Sequence, residues 1–114
     1  MTKDSETQAL VFSALADPTR IKLLNLLSSH APGALCVNAL AGMLGVTQPA
    51  VSQHLRILKT AGLVHGERRG YHIHYAVTPD ALERCQELVA AVLSAPGTGQ
   101  ICSRPDCKTG GQKI

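Results

Sequence analysis

The residues with the most distinctive chemistry in this chain are its four cysteines. They are Cys36, Cys85, Cys102 and Cys107, in a sequence of 114 residues. Four cysteines in a short secreted chain would indicate two disulfides. The N-terminal residues lack the basic and apolar regions of a secretory signal, so we expect a cytoplasmic protein with reduced thiols. Reduced thiols in that compartment are more often ligands or sensors.

The context of each cysteine separates three candidate ligands from one candidate packing residue. Cys85 falls on the apolar stripe of the last predicted helix, so we assign it to the core or to a subunit interface. Cys102 and Cys107 lie in a stretch rich in Gly, Pro, Ser, Thr and Lys, where no core would need them. Cys36 stands at the N-terminal edge of a predicted helix; its alternative role is that of a small buried hydrophobe. An extended chain of about seven residues reaches roughly 23 Å, enough for the tail cysteines to approach Cys36.

Five helices and one β-hairpin are predicted to position these residues. Apolar spacing and capping residues predict helices over residues 5–15, from Asp17-Pro18 to His30, over residues 37–44, from Thr47 to Gly62, and from Thr78-Pro79-Asp80 to Ala95. Glycine at position 70 and the alternating run after it predict a hairpin. Its two faces are Tyr71, Ile73, Tyr75 and Val77 on one side, and His72 and His74 on the other. We therefore expect a mainly α fold with a small β-hairpin.

The positive charge of the chain is concentrated in one quarter of its length. The formal net charge is +3. Residues 47–75 contain Arg56, Lys59, Arg68 and Arg69 against Glu67 alone, which is 4 − 1 = +3, so the remainder sums to zero. A basic stripe confined in this way is typical of a polyanion-binding surface, although a solvated basic face gives the same count.

Residues 37–58 have the layout of a helix-turn-helix. Ala41 stands where the two helices approach closely, Gly45 stands in the turn, and Val51 packs the second helix. The predicted hairpin with Arg68 and Arg69 follows directly, and this order describes a winged helix.

The polar face of the second helix of this unit is a candidate DNA-reading surface. Its positions away from the core are Gln48, Ser52, Gln53, Arg56 and Lys59. Glutamine pairs with adenine and serine with several bases, so Gln48, Ser52 and Gln53 are predicted base contacts. Arg56 and Lys59 are predicted phosphate contacts. Arg68 and Arg69 at the hairpin tip are predicted to enter a minor groove or to grip the backbone.

Three motifs occur in order along this part of the chain: Ala14–Ile21 (ALADPTRI), Leu44–Leu55 (LGVTQPAVSQHL) and Leu58–Val64 (LKTAGLV). Together they are similar to the ArsR/SmtB family of arsenic- and metal-sensing repressors, over roughly residues 8–95. The resemblance implies a winged-helix homodimer whose first and last helices form the subunit interface. It also implies repression from a double-stranded DNA operator and release by an inducer. Residues 1–95 are thus the expected DNA-binding and dimerisation domain, and residues 96–114 a flexible cysteine-containing tail.

The inducer is the least determined part of this interpretation. Many metal-sensing relatives carry a Cys-Val-Cys segment where this chain has Cys36 and Asn38, so a metal site must recruit ligands elsewhere, and Cys102 and Cys107 are the candidates. Three thiolates suit soft ions, and trivalent arsenic or antimony prefers trigonal sulfur, so As(III) or Sb(III) is the first choice. Cd(II), Pb(II) or Hg(II) could use the same set. Zn(II) is less favoured because its tetrahedral sites usually need four ligands.

Other interpretations stay open at this point. The same thiols could sense oxidants or reactive sulfur through a bridge between Cys36 and a tail cysteine. His72 and His74 could bind a metal, although a solvated hairpin face explains them more simply. The last helix offers no histidine, so the zinc site that some relatives place there is not expected. We find no nucleophile–base pair or cofactor motif, and no apolar window long enough for a membrane span, so neither an enzyme nor a membrane partner is expected.

Overall fold

Five helices and a three-stranded sheet make up the part of the chain that the computed structural model describes, which is residues 5–93 together with Pro105. The helices are α1 (Ser5–Leu15), α2 (Pro18–Ser29), α3 (Val37–Leu44), α4 (Gln48–Thr60) and α5 (Ala81–Leu93). The strands are β1 (Leu35–Cys36), β2 (Val64–Arg69) and β3 (His72–Val77). The sheet is antiparallel in the order β1-β3-β2. This arrangement confirms the predicted winged helix-turn-helix.

The predicted tail, residues 96–114, lies outside the described residues except for Pro105, and so do Cys102 and Cys107. Within the described part, no helix is long and apolar enough to cross a bilayer.

Helix boundaries follow from side chains that cap the free backbone groups. The Asp17 carboxylate accepts hydrogen bonds from the backbone N–H of Thr19 (2.9 Å) and of Arg20 (3.1 Å) at the start of α2. Thr47 caps α4 by accepting from the N–H of Ala50 at 3.3 Å. Gly45 ends α3 with φ of 67°, in the left-handed region that favours glycine. Gly45 and Thr47 together bound the short turn between α3 and α4.

The Asp17 cap also makes stability depend on pH. The backbone N–H of Arg20 is the main cause that lowers the pKa of Asp17; the charge of Arg20 and the backbone N–H of Thr19 act in the same direction, and desolvation opposes them. A carboxyl group with a lowered folded-state pKa stabilises the fold above its unfolded pKa. This stabilisation is lost as the pH falls through the lowered value.

The core of the described residues is formed by leucine, alanine and valine side chains. The largest side chains with under 2% exposure are Leu23, Leu40, Leu55, Leu58, Leu88 and Val51. Three of these six belong to α4, at the spacing i, i+4, i+7 that places them on one helical face. Helix α4 therefore lies against the core along one face and leaves the opposite face to solvent.

The sheet differs from the prediction in two ways. Strand β1 is only two residues long, too short to show an alternating pattern in sequence, and it pairs Leu35 with Tyr75 and Cys36 with His74. The predicted apolar hairpin face is only partly covered, since Tyr71 is 98% exposed and Ile73 38%. Ala76, on the histidine face, is buried instead. The reason is that the tip of the β2–β3 hairpin projects beyond the core.

We expect Leu55→Ala to lower the free energy of unfolding by about 2–5 kcal/mol, because it removes a fully buried side chain and leaves a cavity. Met43→Ala is the matched control, because Met43 is 51% exposed on α3. It should change stability by no more than about 0.5 kcal/mol. Urea unfolding of both variants at one protein concentration measures the difference. Equal losses would contradict the core position of α4.

Candidate functional site

The predicted DNA-reading side chains form one exposed surface on α4. Those side chains are Gln48, Ser52, Gln53, Arg56 and Lys59, and all five are exposed. The opposite face of the helix holds the buried Val51, Leu55 and Leu58. Within residues 5–93 none of the five side chains has a hydrogen-bond or ion-pair partner. The helix therefore presents donors and acceptors that are free for an external partner.

The two arginines of the β2–β3 hairpin have different surroundings. Arg68 is exposed and has no partner within the described residues. The guanidinium of Arg69 instead donates to the carbonyl oxygen of Gly33 at 3.0 Å and pairs with the Glu67 carboxylate at 3.4 Å. The same Gly33 carbonyl accepts from His74 Nδ1 at 2.8 Å. Arg69 thus ties the hairpin to the loop before β1, and Arg68 is the hairpin cation that remains available.

A cleft joins the reading surface to the first candidate thiol. The cleft is lined by Gln48 and Ser52 of α4 and by Tyr71 and Ile73 of the hairpin. Cys36 lines the same cleft and is half-buried as a free thiol. A group bound to its sulfur would therefore share this cleft with two predicted base-contact residues.

Cys85 occupies a different place. It lies on α5, packs against the core, and lines a mostly apolar cavity of about 250 Å³ with Leu24 and Leu63. Burial raises the pKa of the Cys85 thiol, although the nearby charge of Arg84 opposes this. A protonated thiol is a poor metal ligand and a poor nucleophile. These surroundings agree with the packing role predicted for Cys85.

Among residues 5–93, no three His, Cys, Asp or Glu side chains come together as a metal site. Of the predicted three-thiol set, Cys36 is the one member that the described residues include, so the set itself stays a prediction.

One polar cluster was not predicted from the sequence. The Arg20 guanidinium donates to the carbonyl oxygens of Ala14 (2.6 Å) and Ser13 (3.2 Å), and its Nη1 lies 3.2 Å from His54 Nδ1. The Asp17 carboxylate lies 3.9 Å from the same ring nitrogen. The sequence predicts Asp17 only as the cap of a helix, and it indicates no partner for Arg20 or His54. We call these three side chains the α2–α4 cluster.

Comparisons with known proteins agree with this geometry. The family described as "Bacterial regulatory protein, arsR family" matches residues 17–65. The arsenical resistance operon repressor of Escherichia coli is 36% identical over 94 residues, covering 73% of this chain and 79% of that protein. A helix-turn-helix transcriptional regulator of Methanocaldococcus jannaschii is 37% identical over 84 residues, covering 74% and 92%. The chain belongs to the ArsR family.

A solved structure is also similar to this ArsR-family protein in its fold. It is a homodimeric winged helix-turn-helix DNA-binding domain from Mycobacterium bovis, with a TM-score of 0.63 and 30% identity. The match covers 78% of this chain and 80% of the Mycobacterium bovis chain. The ArsR-family protein is thus a transcriptional repressor of the helix-turn-helix class and not an enzyme.

The hairpin arginines give a test of the DNA-facing surface. Arg68→Ala is expected to reduce the slope of log affinity against log salt by about 0.9, the value for one lost phosphate contact. Arg69→Ala is the matched variant and should leave the slope unchanged, because its guanidinium is bonded to Gly33 and Glu67. It should instead lower the unfolding temperature. DNA-binding titrations over a salt series measure both, and equal slope losses would show that Arg69 leaves Gly33 to contact DNA.

The raised pKa of Cys85 predicts slow alkylation. In a Cys36→Ser, Cys102→Ser, Cys107→Ser background, iodoacetamide should modify the remaining thiol several-fold more slowly in the folded protein than in urea at neutral pH. The physical reason is that only the thiolate reacts, and burial disfavours it. Mass spectrometry over time follows the reaction. Equal folded and unfolded rates would place Cys85 in free solvent.

Proposed function

We propose that this ArsR-family protein is a cytoplasmic repressor that As(III) or Sb(III) releases from its operator. The proposed ligands are Cys36, Cys102 and Cys107. The observation that carries the proposal is that Cys36 lines one cleft with Gln48 and Ser52 of α4. The similarity of this chain to an arsenical resistance operon repressor supports the choice of inducer. Trigonal thiolate coordination suits these soft ions better than it suits zinc.

The proposed DNA complex is a symmetric dimer on double-stranded DNA. The α4 helices enter successive major grooves with half-sites about 34–36 Å apart. Gln48, Ser52 and Gln53 read bases, while Arg56, Lys59 and Arg68 hold phosphates, and Arg69 acts through the position of the hairpin. The apolar side chains Leu10 of α1 and Val89, Val92 and Leu93 of α5 are exposed in the single chain. Together they supply the surface that a second subunit would bury.

Release follows from where the inducer would sit. A metalloid bound to Cys36 and to the two tail thiols would place both the ion and the attached polypeptide in the cleft that α4 and the hairpin share. Because Gln48 and Ser52 line that cleft, the occupied form presents a different surface to DNA. Changing a two-state equilibrium from 99:1 to 1:99 requires about 5.5 kcal/mol of differential binding. Two or three metalloid–sulfur bonds are a sufficient source.

Titration of the operator complex tests this proposal. Arsenite and antimonite are expected to release DNA from the reduced protein at lower concentration than Cd(II), Pb(II) or Zn(II). Cys36→Ser, Cys102→Ser and Cys107→Ser should each retain operator binding and lose the response. Cys85→Ser is the matched control and should retain both, because its thiol lines a separate cavity.

Two outcomes would contradict the assignment. A response to arsenite in all three serine variants would show that these thiols are not the ligands. Release by peroxide or polysulfide, with no response to arsenite under reducing conditions, would make the protein a thiol-based redox sensor of the same fold.

A further inference from the structure

The α2–α4 cluster contains the directional contacts between α4 and the other helices. Helix α4 otherwise packs through Val51, Leu55 and Leu58, whose apolar contacts are non-directional. Within the described residues, Arg20 to His54 is the side-chain hydrogen bond that joins α4 to another helix, and the Asp17 carboxylate lies behind it. Apolar packing alone lets a helix rotate or slide slightly, whereas a hydrogen bond weakens steeply when its angle changes.

Arg20 is itself fixed at its other end. Its Nε and Nη2 donate to the carbonyl oxygens of Ala14 and Ser13, which belong to the last turn of α1. Such carbonyls lack partners inside their own helix. The guanidinium satisfies that of Ala14 and adds a second donor to that of Ser13, which also accepts from the backbone N–H of Ala16 at 3.1 Å. Because a guanidinium is planar and offers donors in a fixed fork, its position on α1 determines where Nη1 can meet His54. One side chain therefore connects the end of α1, the start of α2 and the middle of α4.

We infer that Arg20 and His54 are a positioning pair for operator selectivity, acting through the orientation of α4 and not through contact with DNA. The inference rests on the proposed role of α4 as the DNA-reading helix. Base contacts require the reading side chains at one fixed depth and angle in the groove, whereas phosphate contacts by long side chains tolerate small shifts. Loss of the pair is thus expected to reduce discrimination between sequences more than it reduces general DNA affinity.

The chemistry of the contact defines which replacement can restore it. Arginine only donates, so His54 Nδ1 must accept, and the ring proton of the neutral imidazole is on Nε2. Asparagine presents its Oδ1 acceptor near the place of Nδ1, whereas leucine fills similar space with no acceptor. His54→Asn and His54→Leu therefore form a matched pair that differs in the hydrogen bond.

The experiment uses the duplex that the wild-type protein selects from a random-sequence pool, and an unrelated duplex of equal length. His54→Leu is expected to lower affinity for the selected duplex roughly tenfold, or about 1.4 kcal/mol. Affinity for the unrelated duplex and the salt slope should not change. His54→Asn should restore affinity to within about threefold of wild type. Arg20→Met removes the same contact together with the hydrogen bonds to Ala14 and Ser13, so it should lose at least as much affinity as His54→Leu. Adding His54→Leu to Arg20→Met should weaken binding no further, since their shared contact is already gone.

Several results would overturn the inference. Equal losses on both duplexes would mean that His54 contacts phosphate or supports folding only. An asparagine variant as weak as the leucine variant, or additive losses in the double variant, would show that the hydrogen bond to Arg20 is not what matters. If the wild-type protein selects no sequence from the pool, the DNA-reading role of α4 fails first, and the positioning role fails with it.

Discussion

Burial of one face of α4 is the constraint on which the rest of the structure depends. Val51, Leu55 and Leu58 are completely buried, and each such side chain contributes about 1.5–3 kcal/mol relative to exposure. Once these three fill the core, the positions on the opposite face of the helix must face solvent. The exposure of the polar side chains that are free for a partner is therefore a direct consequence of this packing. The buried side chains and the DNA-reading side chains lie on two faces of the same helix. Any rotation of α4 that moves one set therefore moves the other.

The elements that sequence could predict are those with local causes. Asp17 and Thr47 cap helices through N–H groups two or three residues away, and Gly45 supplies its own left-handed turn. The spacing of Val51, Leu55 and Leu58 likewise fixes the exposed face of α4. What sequence could not provide depends on contacts across the fold. Arg20 and His54 form a hydrogen bond although they are 34 positions apart in the sequence. The hydrogen bonds of Gly33 with Arg69 and His74 span 36 and 41 positions. No local pattern of residues encodes these distances.

The cysteines illustrate the same division. Local context was enough to separate Cys85, on an apolar helix face, from Cys36 at a helix edge. It could not show that Cys36 opens into a cleft shared with Gln48, because this depends on how the hairpin folds over α3 and α4. Strand β1 makes this possible, since its pairing with β3 places Cys36 opposite His74. A two-residue strand thus decides where the first candidate ligand lies relative to the DNA-reading helix.

Gly33 has a mechanical consequence. Its φ of 75° favours glycine, and a Cβ there would lie 2.5 Å from Nη2 of Arg69. Its carbonyl accepts hydrogen bonds from Arg69 and His74, which belong to two neighbouring strands. Bending of this loop would weaken both hydrogen bonds, so we expect the loop and the hairpin to move together. Because Cys36 pairs with His74 in the same sheet, a shift of the backbone at Cys36 would reach the hairpin through the β1–β3 pairing.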